Sequence, residues 1–227
     1  MDVVRKAVAL CPGITVAGVA GPGDTLATPY ALRTFRLIKA ELPDIIKCMS
    51  TNGLLLPDFA DEIIDVGIDS LTVTVNAVDA EIQSQICSGI TYQGKRYENT
   101  TAAEILITNQ LAGIKKVADA GITVKVNTVL IPEINVGHVA EVARTVSEVG
   151  ARIYNIIPLI PQHKLAWCSA PGCDLISSTR IEAERYIKVF RHCQRCRADA
   201  AGIPGGADVS EQLFISSVRL ENTFSHG

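Results

Sequence analysis

No apolar run in the 227-residue sequence approaches the roughly 18 residues a helix needs to cross a bilayer. The opening Met1-Asp2-Val3-Val4-Arg5-Lys6 does not have the form of a secretory signal. Positive charge is not in excess: 21 Lys and Arg against 24 Asp and Glu leave a net charge of −3 and a pI near 5.8. There is no polybasic run, so neither a phosphate backbone nor an anionic membrane surface meets a complementary field. Neither a Ser-His-Asp ordering nor an H-E-x-x-H segment occurs, which leaves hydrolysis without support. These absences lead us to expect a cytoplasmic protein that handles small molecules, with no nucleic acid and no membrane as partner.

What is present suits one large α/β domain. Hydrophobic residues make up 48% and charged residues 20%, enough to bury a sizeable core. Apolar, β-branched runs at 14–20, 45–50, 70–75, 122–130 and 152–160 read as buried strands. Helical patterns lie between them. Thr28 as cap and Pro29 at the first position open a helix that carries Leu32, Phe35, Ile38 and Leu42 on one face. The capping box Thr101-x-x-Glu104 opens another, with Ile107, Leu111, Ile114 and Val117 inward and Gly121 as its stop. A third, with Val139, Val142, Val146 and Val149, stops at Gly150. Thr179-x-x-Glu182 is expected to begin a further helix with Ile181, Tyr186, Val189 and Phe190 as its apolar content.

Strand and helix alternate about five times, which implies parallel strands in a barrel, a partial barrel or a doubly wound sheet. Residues 2–10 read as the end of a helix entering the strand at Ile14, so we expect a missing N-terminus and a missing first strand. The expected division is an α/β unit over 1–202 and an irregular tail over 203–227.

In such folds the ligand sits at the carboxyl ends of the strands. Gly21-Pro22-Gly23-Asp24, Cys48-Met49-Ser50-Thr51-Asn52-Gly53, Asn76, Asn127 and Pro158 would ring that mouth. The glycine turn allows backbone groups to approach a ligand, or is simply a tight turn. Ser50, Thr51 and Asn52 offer hydroxyls and an amide, or merely cap the next helix.

Seven cysteines in a reducing setting disfavour disulfides. Cys193-Gln194-Arg195-Cys196 can chelate one metal or cluster edge. A zinc knuckle needs a second such pair, and Cys168 and Cys173 are five apart. A redox pair would open a helix after a strand. Iron-sulfur ligation is the best functional reading, with His192, Arg195 and Arg197 beside an anionic cluster; two surface thiols at a helix end are the alternative. Cys48 could be a ligand or core filler, and Cys11 and Cys87 are read as packing. An unrelated aldolase-type barrel would need a buried lysine at a strand end, for which Lys47 and Lys125 are the candidates.

The runs Val19-Ala20-Gly21-Pro22-Gly23-Asp24, Ser50-Thr51-Asn52-Gly53-Leu54, Thr72-Val73-Thr74-Val75-Asn76-Ala77-Val78-Asp79 and Val124-Lys125-Val126-Asn127-Thr128-Val129-Leu130-Ile131-Pro132 together resemble the NifB family of radical S-adenosylmethionine enzymes. Asn155-Ile156-Ile157-Pro158-Leu159-Ile160-Pro161 and the block from His192 to Ala200 extend the resemblance over about residues 1 to 202. It implies a partial (β/α) barrel that binds S-adenosylmethionine and [4Fe-4S] clusters. It further implies fusion of two clusters around a carbide from the cofactor methyl group, giving the precursor of the nitrogenase cofactor, with a scaffold protein as possible recipient. By position, Cys48, Cys193 and Cys196 match cysteines that hold precursor clusters in the family. Gly21, Gly23, Asp24, Ser50, Asn52 and Asn127 fall where the family surrounds S-adenosylmethionine.

The main departure is that no trio of cysteines has the family's C-x3-C-x2-C spacing. The chain as written is therefore expected to be a fragment, inactive without an upstream cluster loop. The alternative is a non-enzymatic paralogue that binds or carries an iron-sulfur cluster. Glu133, where the family commonly has Gly, is a lesser departure.

Overall fold

The computed structural model describes residues 1–19, 23–191, 201–203 and 206–213. Six parallel strands form one sheet in the order β1-β2-β3-β6-β7-β8: β1 (Val16–Val19), β2 (Ile46–Thr51), β3 (Ser70–Thr74), β6 (Thr123–Leu130), β7 (Ile153–Pro158) and β8 (Lys188–Val189). A separate antiparallel hairpin, β4 (Gly89–Tyr92) and β5 (Lys95–Glu98), is inserted before the long helix that leads into β6. The helices are α1 (Asp2–Leu10), α2 (Tyr30–Glu41), α3 (Leu56–Val66), α4 (Ala80–Ile86), α5 (Asn99–Asp119), α6 (Val139–Glu148), α7 (Cys173–Ala183) and the short α8 (Ser210–Leu213). Among the described residues, no helix is long and apolar enough to cross a membrane. The α/β partial-barrel expectation holds, and the five strands read from the β-branched runs are present.

Alternation along each strand divides the sheet into two faces. Met49, Leu71, Val73, Val124, Val126, Tyr154 and Ile156 point to one side and join the main core. Against them pack Leu32, Phe35 and Ile38 of α2, Leu56, Ala60, Ile63 and Val66 of α3, Ile114 and Val117 of α5, and Val139, Val142, Ala143 and Val146 of α6. The i, i+4, i+7 spacing in α3 and the i, i+3, i+4, i+7 spacing in α6 put these side chains on one stripe, and burying each Leu or Ile contributes about 1.5–3 kcal/mol. The opposite face, called the inner face below, carries the intervening residues.

Helix boundaries correct three expectations. Helix α2 starts at Tyr30 with Pro29 as its cap residue, while Thr28 closes a short 3-10 turn (Thr25–Ala27) and makes no capping bond to α2. Helix α5 starts at Asn99, after Glu98, so Thr101 lies inside its first turn and its hydroxyl caps nothing. Thr179 does not open a helix: it lies in α7, where its Oγ1 donates to the Leu175 carbonyl four residues back at 2.7 Å. The chain leaves α7 through a turn and enters β8, so Val189 is buried as a strand residue, while Ile181 is 55% and Tyr186 44% exposed. The stops at Gly121 and Gly150 are as expected, with φ of +92° and +101°.

Val209 and Leu213 close over Ala7 of α1 and Cys11 just after it, which buries Cys11 as packing. Cys87 is half-buried beside Leu54 and Ile90, with its Sγ 3.5 Å from the Gly89 carbonyl oxygen.

Helices α3 and α5 meet at Gly113. A Cβ there would sit 2.5 Å from Leu56 Cγ and 2.7 Å from Leu56 Cβ, atoms close to the backbone that cannot swing away. Alanine would add about 1 kcal/mol of helix propensity but overpack the crossing by about 1–3 kcal/mol. Gly113→Ala is therefore expected to lower the urea midpoint, and a raised midpoint would show that the crossing can relax.

Candidate functional site

The carboxyl ends of the strands are tied together by side chains that read as ligand groups in the sequence. Asp24 follows β1, and its carboxylate accepts hydrogen bonds from Leu26 N at 2.9 Å, from Thr51 Oγ1 at 2.9 Å and from Asn52 N at 2.5 Å. It thereby clasps the turn after β1 to the end of β2. Asn52 uses its Oδ1 on Leu54 N at 2.8 Å, an Asx turn into α3. Gly53 sits at φ +82°, where a Cβ would fall 2.8 Å from Gln110 Cγ and 2.9 Å from Val73 Cγ1, so only glycine fits. Gln110, from α5 and 2% exposed, donates its Nε2 to both the Asn52 and Thr74 carbonyls, at 2.7 and 2.9 Å. It pins the mouths of β2 and β3 from the helix side.

A second clasp joins the loops after β3 and β6. Fully buried Asn135 donates to the Asn76 and Val129 carbonyls, both at 2.9 Å, and accepts from Ile131 N at 2.8 Å. His138 Nε2 accepts the Val78 N–H at 3.1 Å. Burial pushes the His138 pKa below its ordinary value, against the opposing pull of Asp79 and Glu141. Glu133, exposed, accepts the Ser169 N–H at 2.9 Å and so ties the loop after β6 to the loop after β7.

The inner face is built by register. Gly18, Cys48 and Ser70 lie side by side on β1, β2 and β3, and Ser50, Thr72, Lys125, Ile153 and Lys188 form the next row across β2 to β8. Above it Thr74, Asn127 and Asn155 are paired. Asn155 Nδ2 donates to Asn127 Oδ1 at 3.2 Å, and the two side chains are 1% and 5% exposed. Asn155 Oδ1 is buried and accepts no hydrogen bond. An unsatisfied buried acceptor costs about 1–3 kcal/mol; Gln110 Oε1 is in the same condition on the helix side, whereas Asn155 Oδ1 belongs to the inner face, where a bound donor can offset that cost. With the neighbouring hydroxyls and amide, the residues present fit a polar ligand rich in N–H donors.

Of the residues expected to surround a cofactor, Ser50 and Asn127 are on the inner face, and Gly23, Asp24 and Asn52 are in the mouth loops; Gly21 lies outside the described residues. Cys48 is on the inner face, flanked by Gly18, which contributes no side chain. Cys193 and Cys196, with His192, Arg195 and Arg197, lie outside the described residues. Among the described residues no group of three His, Cys, Asp or Glu could hold a metal ion. Sequence reasoning did not single out Asn155, Gln110 or Asn135. An asparagine inside an apolar strand was the available signal for Asn155; the other two are visible only once the loops are in place.

Of the two candidate lysines, Lys47 points to the helix side, 5% exposed, and pairs with Asp69 at 3.0 Å. Burial alone would raise the Asp69 pKa, but hydrogen bonds from the Lys47 N–H and ammonium, with its charge, bring it below the usual range. Lys47 is thus spent on structure.

Comparisons with known proteins agree with one another. Residues 2–146 match the Radical SAM superfamily. The chain is 41% identical over 221 residues to the FeMo cofactor biosynthesis protein NifB of Methanocaldococcus jannaschii, covering 97% of this chain and 73% of that protein. It is 43% identical over 217 residues to the Klebsiella pneumoniae protein of the same name, covering 92% of this chain and 46% of that one. In fold it is similar to a radical SAM methyltransferase from Sphaerobacter thermophilus, at a TM-score of 0.62 and 20% identity over 82% of this chain and 53% of that one.

Because His138 is held neutral in the fold, the unfolded chain takes up its proton first as pH falls. Stability is complete above about pH 6.5, the unfolded value, and declines as pH drops toward the lower folded pKa. Thermal melts across this range are expected to show that slope, and His138→Gln should flatten it; an unchanged slope would remove His138 from the clasp.

Proposed function

The chain belongs to the Radical SAM superfamily and, within it, to the NifB family, and on that premise we propose that it is a maturase of the nitrogenase cofactor. The carrying observation is 41% identity sustained over 97% of the chain. Membership implies a [4Fe-4S] cluster and S-adenosylmethionine as the working groups. The finer reading is that two [4Fe-4S] clusters are the substrates, fused around a carbon from the methyl group of S-adenosylmethionine to give the cofactor precursor. A scaffold protein would then receive the product.

In this reading S-adenosylmethionine would supply methyl transfer and, beside a reduced cluster for which this sequence holds no C-x3-C-x2-C ligand loop, a 5′-deoxyadenosyl radical. The chain's own residues bind and orient. By the resemblance, Gly21 and Gly23 would border the amino-acid moiety, while Asp24 spends its carboxylate on the end of β2 rather than reaching outward itself. Ser50, Asn52 and Asn127 border the ligand from β2 and β6. Cys48 would hold one substrate cluster, and Cys193 with Cys196 the other. Clamped loops are the useful feature here, because a prearranged site loses little ordering entropy when it binds.

Anaerobic reconstitution with ferrous iron and sulfide tests the ligand set. Cys193→Ala combined with Cys196→Ala should lower bound iron, while Cys11→Ala with Cys87→Ala should leave it unchanged; iron content equal to wild type in the first variant would sink the ligand assignment. Calorimetric titration with S-adenosylmethionine tests Asn127→Ala, for which a roughly ten-fold weaker affinity is expected from the loss of a buried polar contact. Equal affinity would remove Asn127 from the site.

A further inference from the structure

Charge on the sheet is distributed very unevenly. The sequence holds 24 carboxylates and 21 basic residues, yet the six strands of the parallel sheet contain three lysines and not one Asp or Glu. Lys47 is neutralised on the helix side by Asp69. The other two, Lys125 on β6 and Lys188 on β8, stand on the inner face, where register aligns Lys125 with Thr72 and Ser50 on one side and with Ile153 and Lys188 on the other.

Lys125 is the informative member of this pair. It is half-buried, and its ammonium makes no hydrogen bond or ion pair with any described residue; its Nζ lies 5.9 Å from the centroid of the Phe190 ring. A cation–π contact of this length orients the ammonium without cancelling its charge. A partly desolvated ammonium is costly unless an anion shares the space. The neighbouring groups cannot serve: Ser50, Thr72, Thr74, Asn127 and Asn155 are neutral, and Cys48 is one residue pair nearer the strand starts on the same face. Gly18 places no side chain beside Cys48, and among the described residues a Cβ there would meet nothing closer than the Cys48 carbonyl oxygen at 3.8 Å.

We propose that Lys125 is a positioning residue that draws an anionic iron-sulfide cluster onto the inner face at Cys48, with the Ser50 and Thr72 hydroxyls donating to its sulfides. The inference rests on the reading of Cys48 as a cluster ligand. A thiolate-bound cluster carries net negative charge, and an ammonium over a low-dielectric face attracts it more strongly than one in water. Lys125 then contributes to cluster retention and raises the reduction potential, since a nearby positive charge favours the added electron.

The test uses the full chain reconstituted anaerobically with ferrous iron and sulfide, comparing wild type with Lys125→Met, Lys125→Arg and Cys48→Ala. Lys125→Met should melt at or above the wild-type temperature before reconstitution, hold its cluster roughly ten-fold more weakly as read from iron retained through serial desalting, and show a lower reduction potential. Lys125→Arg should restore both, and raised ionic strength should narrow the gap between wild type and Lys125→Met. Affinity for S-adenosylmethionine, titrated without iron, should be the same in Lys125→Met and wild type; a loss there matching the iron loss would give the lysine to the cofactor carboxylate and overturn the assignment. If Cys48→Ala loses iron but Lys125→Met retains both iron and potential, the lysine proposal fails while the reading of Cys48 stands. If both bind iron as wild type does, the cluster is not at Cys48 and the two fall together.

Discussion

A parallel sheet whose main core, among the described residues, is sealed by helices on one face is the constraint on which the rest depends. The central strands present mostly apolar residues to the helices at every second position, which leaves the alternate positions free of that demand. In β3, Leu71 and Val73 are fully buried against helices, while Ser70, Thr72 and Thr74 face the other way. In β6, Val124 and Val126 serve the core, while Lys125 and Asn127 do not. A doubly covered sheet would have made both sets apolar. One-sided burial is therefore what permits a row of hydroxyls, amides, a thiol and ammonium groups in the middle of a stable fold.

The loops at the mouth show how such a face is kept in shape. Asp24, Gln110 and Asn135 each bridge two strand ends, and most of their bonds are to backbone groups that would otherwise be left unsatisfied. These side chains look like ligand groups in a sequence because polar residues cluster at strand ends for both reasons. Bonds made and the face occupied together distinguish Asp24 from Asn155, since Gln110 also keeps a buried Oε1 without a donor but on the helix side. Asp24 spends its carboxylate on three donors, whereas Asn155 keeps one oxygen buried with none.

How much was legible follows from the same physics. The five longer strands carry β-branched runs dense enough to be read directly, and Gly121 and Gly150 mark helix ends because their positive φ excludes most side chains. Strand β8 has only two residues, too few to show a period, and Tyr186, Val189 and Phe190 imitate a helical stripe. Thr179 misled because a hydroxyl three residues before a glutamate can cap a helix or bond back into one, and only the fold decides which. For the hairpin, the alternation in β4 and β5 spans four residues each, again too short to stand out. Asn127 was picked out by its place on a strand leading to the mouth and by resemblance, and its partner Asn155 became visible only when register set them side by side.

The lysines at positions 47 and 125 make the last step concrete. Both lie inside strands, and in sequence nothing but the parity of their positions separates them. Lys47 falls on the helix side, where an unpaired ammonium would be intolerable, and the chain answers with Asp69 just before β3 and the Ile45 carbonyl at 3.2 Å. Lys125 falls on the inner face and gets an aromatic ring instead of a carboxylate. A protein that needed Lys125 only for stability would gain from a paired acid at one of the adjoining inner-face positions, but β3 offers Thr72 and Thr74 there and β7 offers Ile153 and Asn155. Among the described residues that charge has no matching acid, and an anion bound beside it would offset the cost of holding it there.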